Sequence, residues 1–117
     1  MSTPNTCLSI ERAMEYVGDM QGVMTLLETL QQSLQDDLPQ IQAMLDAGDL
    51  PGANRLLHQF KGFAPVFCVD ALVADVIKVE ALSKGTDLEA VRQAYAQLGP
   101  QLQQLLVEVR AQLAAPR

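Results

Sequence analysis

His58 is the only histidine in the 117-residue chain, and its side chain has the clearest chemical potential. An exposed imidazole is largely neutral at cellular pH and offers a nucleophilic ring nitrogen. Such a nitrogen can attack an activated phosphoryl donor and hold the phosphoryl group as a phosphoramidate. The sequence therefore makes His58 a candidate acceptor of a phosphoryl group.

Two neighbours of His58 fit this chemistry. Lys61 and Gly62 follow it by three and four residues, so on a helix both lie one turn away. The ammonium of Lys61 can partly neutralise a phosphoryl group that carries close to two negative charges. A glycine inside a helix costs about 0.5–1 kcal/mol relative to alanine, which indicates that another molecule approaches the backbone closely at Gly62. Between Pro51 and Val69 there are two basic residues and no carboxylate, so the local field suits an anion.

A helical wheel for residues 51–67 separates the apolar side chains from the polar ones. The apolar residues form one arc opposite His58, so we predict that the arc is buried and that the imidazole points into solvent. This arc consists of Ala53, Leu56, Leu57, Phe60, Phe63, Ala64 and Phe67. Phe63 lies at its border. We predict that a partner binds the outer face and this border, through Asn54, Arg55, Gln59, Phe63 and Pro65.

The rest of the chain also has helical periodicity. A short amphipathic segment over Ser9–Val17 ends at Gly18, and longer segments follow the predicted caps Asp19, Asp49 and Asp70. The last helix is expected to start from a capping box formed by Thr86 and Glu89. Gly48 and Gly85 are expected to stop the second and fourth helices. Pro39 and Pro100 should bend their helices, and Pro65 should end or kink the third.

Tight turns between these segments imply antiparallel neighbours. We therefore predict an all-α fold: an antiparallel up-down four-helix bundle with a short additional N-terminal helix. The length favours a single domain over residues 1–117, in which residues 1–8 form a loose N-terminal segment.

Composition argues against several classes of function. A net charge of −6 would repel a nucleic-acid backbone. There is no Gly-rich phosphate loop and no second histidine or acidic cluster to bind a metal, so we expect no cofactor, no metal and no ATP-dependent kinase activity of its own. Cys7 and Cys68 have neither zinc-type nor disulfide-framework spacing, which favours packing roles in a reducing compartment. No apolar run approaches about 18 residues, so we expect no direct membrane insertion.

The run His58-Gln59-Phe60-Lys61-Gly62-Phe63-Ala64 resembles the H-x-[LF]-K-G-x-[SA] core of histidine-containing phosphotransfer (HPt) domains, the relay modules of multistep two-component signalling. The order of the predicted helices resembles that family over nearly the whole chain. The chain departs from the family pattern at Cys68, where many members have glycine, and at Phe63 and Pro65.

This resemblance implies that His58 accepts a phosphoryl group from the aspartate of one receiver domain and donates it to another. The partners would be the receiver domains of a hybrid sensor kinase and of a response regulator, with Mg²⁺ on the receiver side. Lys61 would assist the phosphoryl group, and Gly62 would leave room for the receiver. The protein would act in the cytoplasm, either alone or as the C-terminal domain of a membrane-bound hybrid sensor kinase.

An alternative function belongs to a different class. In this reading the chain is a non-catalytic helical interaction or adaptor module whose histidine is incidental. A phosphorylated receiver distinguishes the two hypotheses, because only the relay acquires an acid-labile, base-stable label on His58.

Overall fold

A computed structural model describes residues 5–115, which form five α-helices. Helix α1 spans Ile10–Val17, α2 Met20–Ala47, α3 Leu50–Phe67, α4 Asp70–Ser83 and α5 Leu88–Ala114. The four longer helices pack in a ring in which α2 and α4 each contact both α3 and α5, while α1 lies against α2 and α3. Short connections make successive helices antiparallel. The predicted all-α bundle with a short N-terminal helix is confirmed.

Capping residues set the first helix boundaries as predicted. The side chains of Asp19 and Asp49 accept hydrogen bonds from the backbone N–H three residues later, at 2.7 and 2.9 Å. Gly18 and Gly48 end α1 and α2 with φ values of 95° and 78°. Glycine adopts this left-handed conformation without the steric cost that a Cβ would impose, so the chain can turn sharply at both positions.

Helix α4 begins differently from the prediction that Asp70 caps it. The N-cap is Val69, which makes no side-chain capping bond, and Asp70 is the first helical residue. The carboxylate of Asp70 instead pairs with the guanidinium of Arg12, which also donates to the carbonyl of Cys68 at 2.6 Å. Arg12 on α1 therefore binds the carboxylate that was expected to cap α4.

The start of α5 is one residue away from its predicted position. Its N-cap is Asp87, whose carboxylate accepts the N–H of Ala90 at 3.1 Å. The expected capping box of Thr86 and Glu89 is therefore wrong. Aspartate is the better N-cap because its carboxylate also interacts favourably with the positive end of the helix dipole.

Prolines inside the long helices do not end them. Helix α2 continues through Pro39 and α5 through Pro100. Helix α3 runs two residues past Pro65 to Phe67, and the N–H of Cys68 still donates to the carbonyl of Ala64 at 2.8 Å. Of the two expected effects of Pro65, ending or kinking α3, the first is therefore wrong, because proline removes only its own donor and the last turn is held by buried Phe67.

The N-terminal segment closes one end of the bundle. Cys7 and Leu8 are buried, and Leu8 pairs with Cys68 in an isolated antiparallel bridge. The carboxylate of Glu108 accepts the backbone N–H groups of Thr6, Cys7 and Leu8 at 2.9 to 3.2 Å. The expected loose segment is therefore wrong for these three residues, because a buried carboxylate fixes their backbone. Residues 1–4 lie outside the described part of the chain.

Two further observations concern the cysteines and the apolar character of the helices. Cys7 and Cys68 are free thiols packed in the core, as their spacing predicted. Across residues 5–115, none of the helices has the length and apolar character that crossing a bilayer would require.

Candidate functional site

The side chain of His58 lies on the outer face of α3 and is 68% exposed. The flanking residues Leu57 and Phe60 are fully buried in the core, at 0% and 1% exposure. The predicted arc of apolar residues is buried except for half-buried Phe63, so the 3.6-residue period determines which side of α3 faces the bundle. The prediction that the imidazole faces solvent is confirmed.

The ring of His58 nevertheless has a buried partner. Its Nδ1 lies 3.3 Å from Oε1 of Glu80 on α4, and only 1% of the Glu80 side chain is exposed. Because a carboxylate can only accept, the proton belongs on Nδ1 and the lone pair on Nε2. Among residues 5–115, Nε2 has no hydrogen-bond partner. The arrangement therefore presents a nucleophilic nitrogen to solvent.

Two lysines share the same carboxylate. Lys61 Nζ lies 3.5 Å from Oε2 of Glu80, and Lys84 Nζ lies 3.3 Å from Oε1. Burial raises the pKa of Glu80, but hydrogen bonds from His58 and Lys84, together with the positive charge of Lys61, outweigh this effect and lower the pKa overall. Glu80 is thus ionised at neutral pH, and it holds two ammonium groups beside the ring.

Asn54 and Ser83 support Glu80 from behind. Asn54 Nδ2 donates to Ser83 Oγ at 2.9 Å and reaches the Glu80 carbonyl at 3.3 Å and its Oε1 at 3.5 Å. Ser83 Oγ in turn donates to the same carbonyl at 2.6 Å. The structure therefore places Asn54 inside the α3–α4 contact, half-buried, although the sequence predicted it on a partner-binding surface.

Gly62 is exposed, and a Cβ added to it would meet no atom within 4 Å. By contrast, a Cβ at Gly22 or Gly52 would collide with a neighbouring side chain. The bundle itself therefore has no need of a glycine at position 62. This agrees with the prediction that a molecule from outside uses the space.

The remaining predicted partner residues differ in exposure. Arg55 and Gln59 are exposed, whereas Phe63 and Pro65 are half-buried. The ring of Phe63 packs edge-on against Phe60, with 5.0 Å between the ring centroids. It also borders an apolar cleft of about 140 Å³ between α2 and α3, lined by Leu26, Thr29, Leu30, Ser33, Phe63 and Phe67.

Sequence reasoning missed the role of Glu80 and the presence of Lys84 at the site. The sequence pattern assigned no role to either residue. A signal was available in the sequence, because Glu80 follows the apolar residues Leu72 and Val76 by eight and four residues, a helical spacing that places it on their face. A carboxylate in a buried register requires compensating donors, and such donors had to come from a neighbouring helix.

In the part of the chain that the structure describes, no three histidine, cysteine or acidic side chains cluster as metal ligands would. What the site offers is an exposed imidazole, a buried carboxylate and two lysines. With these side chains, the helical bundle belongs to a class of protein that can carry a chemical group bound covalently to its histidine.

The comparison with protein families agrees with this class. The family model described as Hpt domain matches residues 25–112, which include the whole of α3 and α4, and the chain belongs to this family. The resemblance predicted from the sequence is thereby confirmed, and with it a general role in histidine phosphotransfer within phosphorelays. Neither the search of curated proteins nor the search of solved structures returned a significant match.

Proposed function

We propose that the chain is a phosphorelay intermediate. It accepts a phosphoryl group on His58 from the receiver aspartate of a hybrid sensor kinase and passes the group to the aspartate of a response regulator. The observation that carries this proposal is the pairing of Nδ1 with Glu80, which leaves Nε2 free on the solvent side. The proposed location is the cytoplasm, where both kinds of receiver act.

The transfer step needs no proton to move. The Nε2 lone pair attacks the phosphorus of the aspartyl phosphate, a P–N bond forms, and the P–O bond to the aspartate breaks. The departing carboxylate takes the bonding electron pair, and the ring becomes an imidazolium that keeps its Nδ1 proton beside Glu80. Donation to the second receiver reverses these steps. When bound on the receiver side, Mg²⁺ supplies charge neutralisation for the phosphoryl oxygens.

Lys61 and Lys84 supply positive charge from this chain. Both ammonium groups lie within 3.5 Å of Glu80, and their side chains remain 36% and 56% exposed. Flexible lysine stems allow each charge to turn toward an arriving phosphoryl group. We propose that Lys61 stabilises this group directly and that Lys84, which the sequence did not single out, shares the task.

The proposed docking surface surrounds His58. Gly62 provides a gap in the side-chain layer, and the α2–α3 cleft beside Phe63 offers an apolar contact. Exposed Arg55 and Gln59 add polar contacts, and the basic character of this face suits the acidic phosphorylation site of a receiver. The absence of any nucleotide-binding motif in the sequence supports a carrier without its own ATP-dependent kinase activity.

A transfer assay tests the proposal. A panel of purified receiver domains is phosphorylated with a radiolabelled donor and mixed with purified wild-type or His58→Gln protein. The expected result is an acid-labile, base-stable label on the wild type alone. A label of equal intensity on His58→Gln would refute His58 as the acceptor. Binding of the receiver without any transfer would favour the adaptor alternative and refute the relay.

A further inference from the structure

The carboxylate of Glu80 lies beside the ring of His58, where it can influence the phosphorylated form of that ring. We propose that Glu80 is a positioning residue that keeps a proton on Nδ1 of phosphorylated His58 and so makes the ring a better leaving group. This inference rests on the proposed function, because it concerns the same phosphohistidine. It deepens that function by assigning to a residue of α4 control over how readily the phosphoryl group leaves.

The leaving-group argument follows from the bonds involved. When the P–Nε2 bond breaks, its electron pair returns to the ring, while phosphorus forms a bond to the aspartate oxygen or to water. If Nδ1 carries a proton, the ring departs as neutral imidazole. If it does not, the ring must depart as an imidazolide anion, which is a far poorer leaving group. The fraction of rings protonated at Nδ1 therefore sets the rate of phosphoryl loss.

The position and surroundings of Glu80 favour the ring that is protonated on Nδ1. Its Oε1 lies 3.3 Å from Nδ1, and only 1% of its side chain is exposed, so solvent screens the carboxylate less than it would on an open surface. The amide of Asn54 and the hydroxyl of Ser83 fix the glutamate in place. A neutral amide at position 80 would occupy the same space but would not stabilise the imidazolium charge.

The charged groups around Glu80 come from two helices. His58 and Lys61 approach from α3, and Lys84 approaches from the C-cap position of α4. Helix α5 also packs against α4, but within residues 5–115 it contributes no basic partner to this carboxylate. The lysines compete with the ring for Glu80 until a phosphoryl group arrives, and the phosphoryl oxygens then offer them an alternative partner.

The test uses chemical phosphorylation and no receiver. Wild-type protein, Glu80→Gln and the exposed control Glu89→Gln are phosphorylated with potassium phosphoramidate. The ³¹P signal of the phosphohistidine is titrated with pH, and its first-order loss is followed at pH 7.5. In Glu80→Gln we expect the titration midpoint to fall by about one pH unit and the loss to slow by about three- to tenfold, since one unit is a tenfold change in protonated fraction.

The outcomes separate this inference from the relay itself. Glu89→Gln should match the wild type, and Glu80→Asp, which retains the charge, should resemble the wild type more than Glu80→Gln does. An unchanged midpoint and rate in Glu80→Gln would overturn the inference. If Glu80→Gln does not fold, Asn54→Ala should shift both values in the same direction by a smaller amount, and no shift would overturn the inference. Failure of the relay would appear only in the receiver assay.

Discussion

The imidazole of His58 and the carboxylate of Glu80 meet between α3 and α4, with Nδ1 3.3 Å from Oε1, although 68% of one side chain and 1% of the other is exposed. A buried group therefore orients a surface group. Glu80 lies on the buried face of α4, which fixes the position of its carboxylate. His58 lies on the outer face of α3, from which its ring reaches that carboxylate. This relationship ties the chemistry of the site to the packing of the bundle.

Lys61→Ala should slow phosphoryl transfer while leaving the fold intact. A hydrogen bond from an ammonium contributes about 1.5 kcal/mol or more, which corresponds to a rate effect of about tenfold. The free energy of unfolding should change by less than about 1 kcal/mol, because the ion pair is partly exposed and Lys84 remains beside Glu80. Stopped-flow transfer and urea unfolding measure the two effects, with exposed Lys78→Ala as the matched control. Loss of helicity in Lys61→Ala would contradict its placement on the polar face.

Substitution of Gly62 should separate docking from stability. Gly62→Ala should stabilise the bundle by about 0.5–1 kcal/mol, because the new Cβ meets open space and alanine favours the helix. Gly62→Gln should weaken receiver binding more than it changes the melting temperature. The control is Gly52→Ala, where the added Cβ would collide with the capping carboxylate of Asp49 and should destabilise the fold. Wild-type receiver affinity in Gly62→Gln would show that docking does not use the space.

Glu108→Ala should release the N-terminal segment. Its carboxylate accepts three backbone N–H groups from Thr6, Cys7 and Leu8, and its removal leaves the N–H groups of buried Cys7 and Leu8 without this partner. We expect a loss of about 2–4 kcal/mol in the free energy of unfolding. In this variant, hydrogen exchange at these three amides should become faster than in the wild type, and by a larger factor than exchange at the amides of α3. Unchanged protection of the amides would mean that other contacts hold the segment.

Acid should destabilise the bundle through Glu80 and Glu108. Burial raises the pKa of both groups, but the hydrogen bonds from His58 to Glu80 and from the backbone of Leu8 to Glu108 help to lower each below the ordinary 4.5. Because the folded pKa lies below the unfolded one, this stabilisation is present above pH 4.5 and is lost as the pH falls through the folded values. Urea midpoints measured from pH 7 to pH 3 should therefore decrease. Glu108→Gln should flatten the decrease, and a wild-type midpoint that stays constant would contradict the ionised state of both groups.

Local sequence patterns predicted most of the fold. The apolar period of α3 determined which residues are buried, and Asp19, Gly18, Asp49 and Gly48 set boundaries because capping acts within a few residues. The caps of the later helices were less predictable. Asp70 has a favourable residue type for capping, yet Arg12, distant in sequence, pairs with it instead.

The same limit applies to the candidate site. His58, Lys61 and Gly62 share one helix, so their spacing alone places them together. The partners Glu80 and Ser83 come from α4 and Lys84 from its C-cap, and the sequence does not show directly which residues of two helices face each other. The burial of the N-terminal segment was missed for the same reason, since Leu8 contacts Cys68 and Glu108 across long stretches of chain.

The most direct test is to identify the nitrogen that carries the phosphoryl group. A chain with ¹⁵N-labelled histidine is phosphorylated by a receiver domain, and the one-bond ³¹P–¹⁵N coupling is measured. Because Glu80 occupies Nδ1, we expect the coupling on Nε2 of His58. Coupling on Nδ1, or a phosphoryl group bonded to no histidine nitrogen, would contradict the account.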